Sequence, residues 1–287
     1  MSTTAQKNCR LKPEDLIDLK RYPIHRLQSQ QGQKLLEECH RMMAEDTICI
    51  LPGFLQPEVT SQLAEEITRL ESKGRNINFM STAYSWMDNR GFPRDHPRSQ
   101  LFKRHCSALT TEQIESDGLC VQLFQIDLLT EFVRQLLGYD RLYPSACPTI
   151  SVRLNIMKTN DEFGWHYDTN DGVVSFITQN AENGGIFEYA PLIRSEDDEN
   201  YPAVERIVDG IDVPVRADTP PGTFTLFMGR RSLHRVSPVF DSTKSRQSLL
   251  FSYDRNPGMV FPEHIRKRLT EPSSAPFYGA SNQGEPE

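Results

Sequence analysis

Apolar residues recur at helical spacing in three segments of the first half of the chain. They fall three or four positions apart, which is the period of a helix with one buried face. Pro57 suits the first turn of the second segment, while Gly74 and Gly138 follow the second and third, where glycine commonly ends a helix. The predicted helices cover residues 30–43, 56–73 and 121–137.

The remainder of the first half has a less regular pattern. Residues 1–28 are polar and irregular, and residues 47–51 form a short β-prone run that ends at Pro52 and Gly53. Residues 81–110 combine polar, aromatic and turn residues without a clear period. A long irregular stretch inside a compact protein is often a lid or a binding loop, and we expect one here.

After Pro148 the pattern changes to short β-prone runs separated by turn residues. Many short strands at this spacing are typical of a sandwich or a closed barrel. The acidic insert 192–210 interrupts them and favours a short surface helix. The predicted strands cover residues 149–157, 172–179, 185–191, 222–229, 233–239 and 246–254.

These patterns predict a mainly β protein with helical support, formed as one domain over residues 1–287. Helices gather in the N-terminal half and strands in the C-terminal half, so we expect a barrel core buttressed by N-terminal helices. The four parts are an irregular N-terminal segment, a helical support and lid, the barrel core and a C-terminal extension. They cover residues 1–28, 29–145, 146–258 and 259–287.

Composition and charge exclude several classes of protein. Of the 287 residues, 37% are hydrophobic and 25% are charged, which is enough apolar material to exclude wholesale disorder. The net charge of −7 argues against nucleic acid as the main partner. No apolar run is long enough for a membrane span, and the N-terminus lacks the apolar region of a secretory signal, so we expect a cytoplasmic protein.

The six cysteines contain no C-x-x-C pair, which disfavours a structural zinc site. In a reducing compartment we expect them to be free thiols, most of them buried.

Two histidines and one aspartate are the strongest candidates for chemistry. His166 and Asp168 are separated by one residue, so on a strand they would project from the same face. His234 follows after 65 intervening residues. Two imidazoles and one carboxylate on one face of a metal are the ligand set of non-haem Fe(II) oxygenases. Taken singly, each histidine is more often a core or surface residue than a ligand.

Two strands carry polar residues on one face and apolar residues on the other. Arg246 and Ser248 share a face opposite Leu249 and Phe251. In the strand over residues 149–157, Ser151, Arg153 and Asn155 alternate in the same way with Val152, Leu154 and Ile156. An Arg fork and a hydroxyl suit a carboxylate, and a charge inside a barrel is costly without a partner. The pattern therefore predicts a barrel whose interior holds an anionic ligand.

The order of these motifs resembles the Fe(II)/2-oxoglutarate-dependent oxygenases, whose fold is a double-stranded β-helix, a cupin-like jelly roll. Residues 81–258 are most similar to the subfamily of free amino-acid hydroxylases and lysine-type radical halogenases. The matching stretches are FPRDHPR, LNIMKTNDEFGWHYDTND, NAENGGIFEYAPLIRSEDDENY, PGTFTLFMGRRSLHRVSPV and SRQSLLFSYDRNPG.

The resemblance implies that His166, Asp168 and His234 bind Fe(II). It also implies that Arg246, helped by Ser248, pairs with the distal carboxylate of 2-oxoglutarate, with O2 as the second cosubstrate. The halogenases of this subfamily have Gly in place of the metal-binding carboxylate, and Asp168 fills that position here, which argues against halogenation. Their lysine-binding side chains are not matched, because Phe163 and Thr169 occupy positions where polar groups would be needed.

The resulting hypothesis is an enzyme that hydroxylates an unactivated C–H bond of a free amino acid or similar small molecule, coupled to decarboxylation of 2-oxoglutarate to succinate. An Arg in the pocket would suit a substrate carboxylate. Desaturation or radical cyclisation by the same oxidant, and a jelly-roll binding protein with a vestigial metal site, remain alternatives. The candidate substrate-binding residues are Arg153, Asn155, Trp86, Arg90 and His96.

Overall fold

A computed structural model describes residues 11–168, 172–271 and 276 of the chain. Short 3-10 turns occur at Ile24–Arg26, Glu71–Lys73 and Thr111–Gln113. The helices are α1 (Pro13–Leu16), α2 (Gln30–Asp46), α3 (Pro57–Leu70), α4 (Leu119–Phe124), α5 (Asp127–Leu137), α6 (Tyr201–Val208) and α7 (Glu263–Thr270). The strands are β1 (Ile48–Leu51), β2 (Arg75–Ser81), β3 (Phe102–Leu109), β4 (Tyr143–Pro144), β5 (Val152–Met157), β6 (Glu162–His166), β7 (Val173–Gln179), β8 (Phe187–Ala190), β9 (Val215–Ala217), β10 (Thr223–Phe227), β11 (Leu233–Val236), β12 (Arg246–Phe251) and β13 (Tyr253–Asp254).

The large sheet follows the order β1-β10-β7-β12-β5-β3-β6-β11-β8-β9, with β2 paired to β3 at the side. Every pairing in it is antiparallel, and most neighbours are distant in sequence. Such crossovers within a curled antiparallel sheet are those of a jelly roll. The prediction of a mainly β jelly-roll fold with helical support is confirmed.

The helical layer covers one face of this sheet. Because side chains alternate across a strand, Leu154 of β5 and Leu249 of β12 point away from the barrel interior into an apolar core. There the rings of Phe54 and Phe224 contact each other, Phe176 and Phe132 of α5, at centroid separations of 5.0 to 6.1 Å. The helices thus cover the outer face of the strands, and the inner face is left to line a pocket.

The region over residues 81–110 is not the continuous lid or loop that its sequence suggests. Residues 102–109 form β3, which pairs with β2, β5 and β6. Buried and partly exposed side chains alternate along β3: Arg104, Cys106 and Ala108 are buried, and the residues between them are partly exposed. It is hidden in the sequence because a charged residue occupies one of the buried positions.

Two further local predictions differ from the structure. The single helix predicted over residues 121–137 is broken between α4 and α5. Phe124 of α4 contacts the rings of Phe251 and Tyr253, whereas Phe132 of α5 contacts the rings of Phe54 and Phe224. Because the two helices pack on different parts of the core, the chain changes direction between them. The N-terminal segment, predicted to be irregular, contains α1 in its described part.

The helix predicted within the insert 192–210 is α6. The described cysteines, Cys39, Cys49, Cys106, Cys120 and Cys147, are free and buried, as expected, and Cys9 lies outside the described residues. None of the helices in the described part of the chain combines the length and the apolar character needed to cross a membrane.

Candidate metal centre and its pocket

His166 ends β6 and His234 lies on β11, and the two residues are direct partners across this antiparallel pair. Their rings are 3.9 Å apart between centroids. In each ring Nδ1 contacts a carbonyl oxygen two residues earlier, at 3.0 Å for Gly164 and 2.9 Å for Ser232. A carbonyl can only accept, so Nδ1 carries the proton and Nε2 keeps its lone pair. Both histidines are therefore oriented to offer Nε2 to a metal.

Asp168 brings a carboxylate to the same point. Its Oδ1 lies 3.9 Å from Nε2 of His166, and its Oδ2 lies 3.6 Å from Nε2 of His234. The Asp168 backbone N–H donates to the carbonyl of Gly229 at 3.0 Å, which holds the residue beside the histidines. The three side chains offer ligand atoms that all lie within 4.8 Å of one another.

Gly229 is a supporting residue that the sequence analysis missed. A Cβ atom at this position would lie 2.0 Å from Oδ2 of Asp168, so any side chain would displace the carboxylate. Gly229 precedes Arg230 in a stretch rich in turn residues, and nothing local distinguishes it from an ordinary turn glycine. Its role depends on the approach of Asp168.

This donor set fits Fe(II). Two imidazoles and one carboxylate on one side of a site leave the opposite side open, which is the arrangement of non-haem iron oxygenases. Burial lowers the pKa of His166 well below its usual value, and the nearby His234 lowers it further. His166 is thus held in the neutral form that binds metal.

The metal centre opens on a cavity of about 310 Å³ between the two layers of the jelly roll. Arg246 and Ser248 of β12 face this cavity, and Arg246 Nη1 donates to Ser248 Oγ at 3.4 Å. Arg246 is only 6% exposed, and burial lowers its pKa to about 10, so it stays charged at neutral pH. Among the described residues no carboxylate pairs with it. A buried guanidinium of this kind fits a carboxylate ligand.

Arg153 and Asn155 of β5 also face the cavity, as their alternation predicts. The Nε atom of Arg153 and the Oδ1 atom of Asn155 are buried without a hydrogen-bond partner in the described part of the protein. Burial lowers the pKa of Arg153. Both side chains therefore have unused hydrogen-bonding capacity where a ligand would lie.

Arg104 of β3 is a pocket residue absent from the sequence-based candidates. It is 7% exposed, and its guanidinium lies 4.6 Å from the centroid of the Phe163 ring. No hydrogen bond or ion pair of the Arg104 side chain is found among the described residues, and its Nε atom is buried and unpartnered. The alternation of Arg104 with Cys106 and Ala108 is the signal that could have identified it.

Three of the candidate substrate residues lie outside the cavity lining of the described structure. Trp86 packs 5.9 Å from the rings of Tyr84 and Tyr167, beneath the guanidinium of Arg194. The other two are Arg90, which is exposed and ion-paired with Asp88, and His96, which packs against the rings of Phe92 and Tyr201. The structure does not bring them to the metal centre, and their roles stay predictions. Thr169 lies outside the described residues.

The C-terminal extension reaches the cavity, which the sequence did not suggest. Ile265, Arg268 and Leu269 of α7 line it, together with Phe261 just before the helix. Leu269 packs onto a small apolar cluster that includes Ile77 and Met157. The extension is thus part of the pocket wall.

The sequence from residue 31 to residue 259 matches the model of the family described as Halogenase D. The chain belongs to this family. No curated protein matches the chain. The family match covers the metal centre, Arg246 and Arg104, and it ends before α7.

Solved structures with the same fold share low sequence identity with this chain, and two of them are described as non-haem alpha-ketoglutarate-dependent enzymes. The alpha-ketoglutarate-dependent epimerase SnoN from nogalamycin biosynthesis aligns with a TM-score of 0.54 at 12% identity, over 77% of this chain and 83% of that chain. AviO1 from Streptomyces viridochromogenes Tue57 aligns with a TM-score of 0.53 at 13% identity, over 79% of this chain and 97% of that chain. The carbocyclase SnoK from nogalamycin biosynthesis aligns with a TM-score of 0.51 at 12% identity, over 80% of this chain and 90% of that chain.

Likeness at these identities shows the fold, and the family match shows the relationship. Together with the His-Asp-His set, they agree with the resemblance found in the sequence. The prediction of an enzyme of the Fe(II)/2-oxoglutarate-dependent oxygenase class, related to halogenases, is confirmed at the level of family and fold.

Proposed function

We propose that this protein hydroxylates a C–H bond of a free amino acid or similar small acid, with His166, Asp168 and His234 as ligands of Fe(II). The observation that carries the proposal is the carboxylate of Asp168, which faces Nε2 of both histidines at 3.6 and 3.9 Å. Bound iron would supply the activation of O2 that is coupled to the decarboxylation of 2-oxoglutarate to succinate.

The remaining residues of the pocket support this assignment by what they can hold. Arg246 and Ser248 provide a buried cation and a hydroxyl for the distal carboxylate of 2-oxoglutarate. Arg153 offers an unpartnered Nε–H for the carboxylate of the substrate, and the unpartnered Oδ1 atom of Asn155 can accept a hydrogen bond from an N–H or O–H group of the substrate. The apolar side chains of Phe163, Val236 and Leu250 line the same cavity and exclude water around the C–H bond.

Asp168 also favours hydroxylation over halogenation within this family. With iron bound, the Asp168 carboxylate would take the position that a halide needs, and its negative charge would disfavour a second anion beside it. The absence of a side chain at Gly229 leaves room for this carboxylate, since a Cβ atom there would lie 2.0 Å from Oδ2 of Asp168. The pocket is therefore built around an aspartate.

The experiment is mass spectrometry of small-molecule pools incubated with the protein, Fe(II), ascorbate and 2-oxoglutarate. We expect a product that gains one oxygen, formed together with succinate. A loss of two hydrogens would instead indicate desaturation or ring closure. If no succinate forms above the level of a His234→Ala control with any pool, the proposed function is wrong.

The absence of halogenation is tested with the identified substrate in high chloride or bromide, where the isotope pattern of the product reports halogen. We expect the hydroxylated product to remain the main one. Asp168→Gly should mainly lose iron and activity, because a halide site needs supporting contacts as well as a vacancy. A halogenated main product from the wild-type protein would contradict Asp168 as a metal ligand.

A further inference from the structure

The residue between the metal ligands His166 and Asp168 is a tyrosine whose ring packs in an apolar cluster. Tyr167 is 2% exposed, and its backbone N–H donates to the carbonyl of Ala83 at 3.1 Å. Its ring lies 5.2 Å from the ring of Tyr84. Peptide bonds join Tyr167 to both ligands, so a shift of its ring would also displace the carboxylate of Asp168.

A guanidinium group lies against the ring of Tyr167 and against that of a neighbouring tryptophan. Cζ of Arg194 is 5.3 Å from the centroid of Tyr167 and 4.9 Å from that of Trp86, and the two rings are 5.9 Å apart at an angle of 79°. Arg194 is 8% exposed, and a cation is attracted to an aromatic face more strongly where water is excluded. It therefore holds two rings together at a buried position beside the metal-binding segment.

Arg194 belongs to the acidic insert 192–210, to which the proposed function gives no role. Its Nε atom lies 3.1 Å from Oε2 of Glu199, which compensates the charge of the guanidinium at this buried position. Tyr201 of α6 packs 5.9 Å from the ring of Tyr84. The insert therefore covers the aromatic cluster as well as holding the guanidinium.

The insert also contacts the segment that precedes His234. The backbone N–H of Leu192 donates to Oγ of Ser232 at 3.3 Å, and that of Arg194 donates to the carbonyl of Arg231 at 3.4 Å. The carbonyl of Ser232 in turn accepts from Nδ1 of His234. The first residues of the insert thus contact both parts of the chain that supply metal ligands.

We propose that Arg194 is a positioning residue of the metal centre. It holds the ring of Tyr167 and thereby sets where the carboxylate of Asp168 lies relative to the two histidines. This inference rests on the proposed function, in which His166, Asp168 and His234 are the metal ligands. The acidic insert supports the metal centre in this way without touching the metal.

The test is binding of Co(II) to the full-length protein, because the visible spectrum of bound Co(II) reports the number and geometry of its ligands and does not depend on turnover. Arg194→Gln removes the charge between the two rings. We expect it to weaken Co(II) binding about 3- to 30-fold, the range for a lost cation–π contact, and to change the spectrum. Co(II) affinity and spectrum equal to those of the wild type would overturn the inference, even if the variant unfolds more easily in urea.

Arg206→Gln is the matched control. Arg206 lies on α6 of the same insert, and its ion pair with Asp212 is exposed. We expect this variant to leave both the Co(II) affinity and the spectrum unchanged. Equal effects of Arg206→Gln and Arg194→Gln would refute a specific role of Arg194.

A second variant covers the case in which Arg194→Gln does not fold because the carboxylate of Glu199 stays buried without its partner. Arg194→Gln combined with Glu199→Gln removes both charges, and such a replacement is often tolerated. It still lacks the cation between the rings, so we expect the same loss of Co(II) affinity. Wild-type affinity in this double variant would overturn the inference.

A double-mutant cycle tests the route through Tyr167. Tyr167→Leu removes the ring, so Arg194→Gln should cause no further loss of Co(II) affinity in this background. A further loss as large as in the wild-type background would show that Arg194 does not act through Tyr167, and would refute the proposal.

The wild-type titration separates this inference from the proposed function. If Co(II) does not bind, or binds equally well after His234→Ala, the proposed function fails, and the role of Arg194 falls with it. If Co(II) binds through the histidines and Arg194→Gln leaves its affinity and spectrum unchanged, only the positioning role is wrong.

Discussion

The two faces of strands β5 and β12 have the same backbone and opposite chemistry. On the outer face, Leu154 and Leu249 are fully buried against the helices, and the apolar contacts are complete. On the inner face, Arg153 and Arg246 are held in a cavity, and neither forms an ion pair with a carboxylate among the described residues. The outer face therefore stabilises the fold, while the inner face keeps polar groups that only a ligand can satisfy.

The protein thereby separates stability from function within single strands. A two-residue period lets neighbouring residues serve different purposes without any change of backbone. Substitutions on the outer face should therefore change the free energy of unfolding. Substitutions on the inner face should change binding and turnover, with little effect on folding.

The largest effect is expected at the metal centre. His166→Ala or His234→Ala should abolish metal binding and reduce turnover to background, because each removes an Nε2 ligand that its Nδ1 contact holds in place. The unfolding transition of the metal-free protein should change little. Metal content and succinate formation measure the effect, and the exposed His25→Ala is the matched control. Full activity in either ligand variant would contradict the assignment.

The next effect concerns the cosubstrate. Arg246→Ala should raise the KM for 2-oxoglutarate steeply, since losing one partner of a buried charge pair costs about 2–5 kcal/mol. Arg246→Lys should restore binding only in part, because an ammonium group lacks the planar fork of guanidinium. Steady-state kinetics with varied 2-oxoglutarate test this. An unchanged KM in Arg246→Ala would transfer the role to another arginine of the pocket, with Arg153 the first to examine.

The comparison of the two faces is tested directly by consecutive residues of β12. Leu249 is fully buried in the core, whereas Leu250 lines the cavity. Leu249→Ala should lower the free energy of unfolding by about 2–5 kcal/mol, the usual range for such a core truncation, and leave kcat of the folded protein unchanged. Leu250→Ala should cost less stability and change substrate KM instead. Urea unfolding and steady-state kinetics of both variants test this expectation. Equal losses of stability in the two variants would contradict the proposal that the outer face stabilises the fold and the inner face serves binding.

The smallest effect is expected at Gly229. Gly229→Ala should weaken metal binding about 10- to 100-fold, the range for disturbing the support of a ligand, because the new Cβ displaces the carboxylate of Asp168. Metal titration of the purified protein measures this. The three atoms nearest to the new Cβ all belong to the Asp168 side chain, so in an Asp168→Gly background the Gly229→Ala change should leave the free energy of unfolding unchanged. An added loss of stability in the double variant would show that Gly229 acts through something other than Asp168.

Much of the fold and part of the site could be predicted because they depend on local period. The alternation in β5 and β12 identified which residues face outward, and the spacing of His166 and Asp168 placed both on one side. Arg104 was not predicted, because a charged residue at a buried strand position makes the strand look like a loop in the sequence. Gly229 was not predicted, because glycine is common in turns for reasons unrelated to a metal site. The metal, cosubstrate and substrate roles of these residues stay predictions that the variants above test.

Local patterns predicted a mainly β sandwich or barrel, the two-faced strands and the pair His166 and Asp168, since each follows from residues close together in the chain, whereas the jelly-roll class followed from the family resemblance. The other contacts of the site form only in the folded protein. Only the pairing of β6 with β11 sets His234 opposite His166 across 67 residues, and only the docking of α7 brings residues of the C-terminal extension to the wall of the cavity. Such contacts depend on which surfaces meet after folding, and the spacing of residues along the chain does not encode that choice.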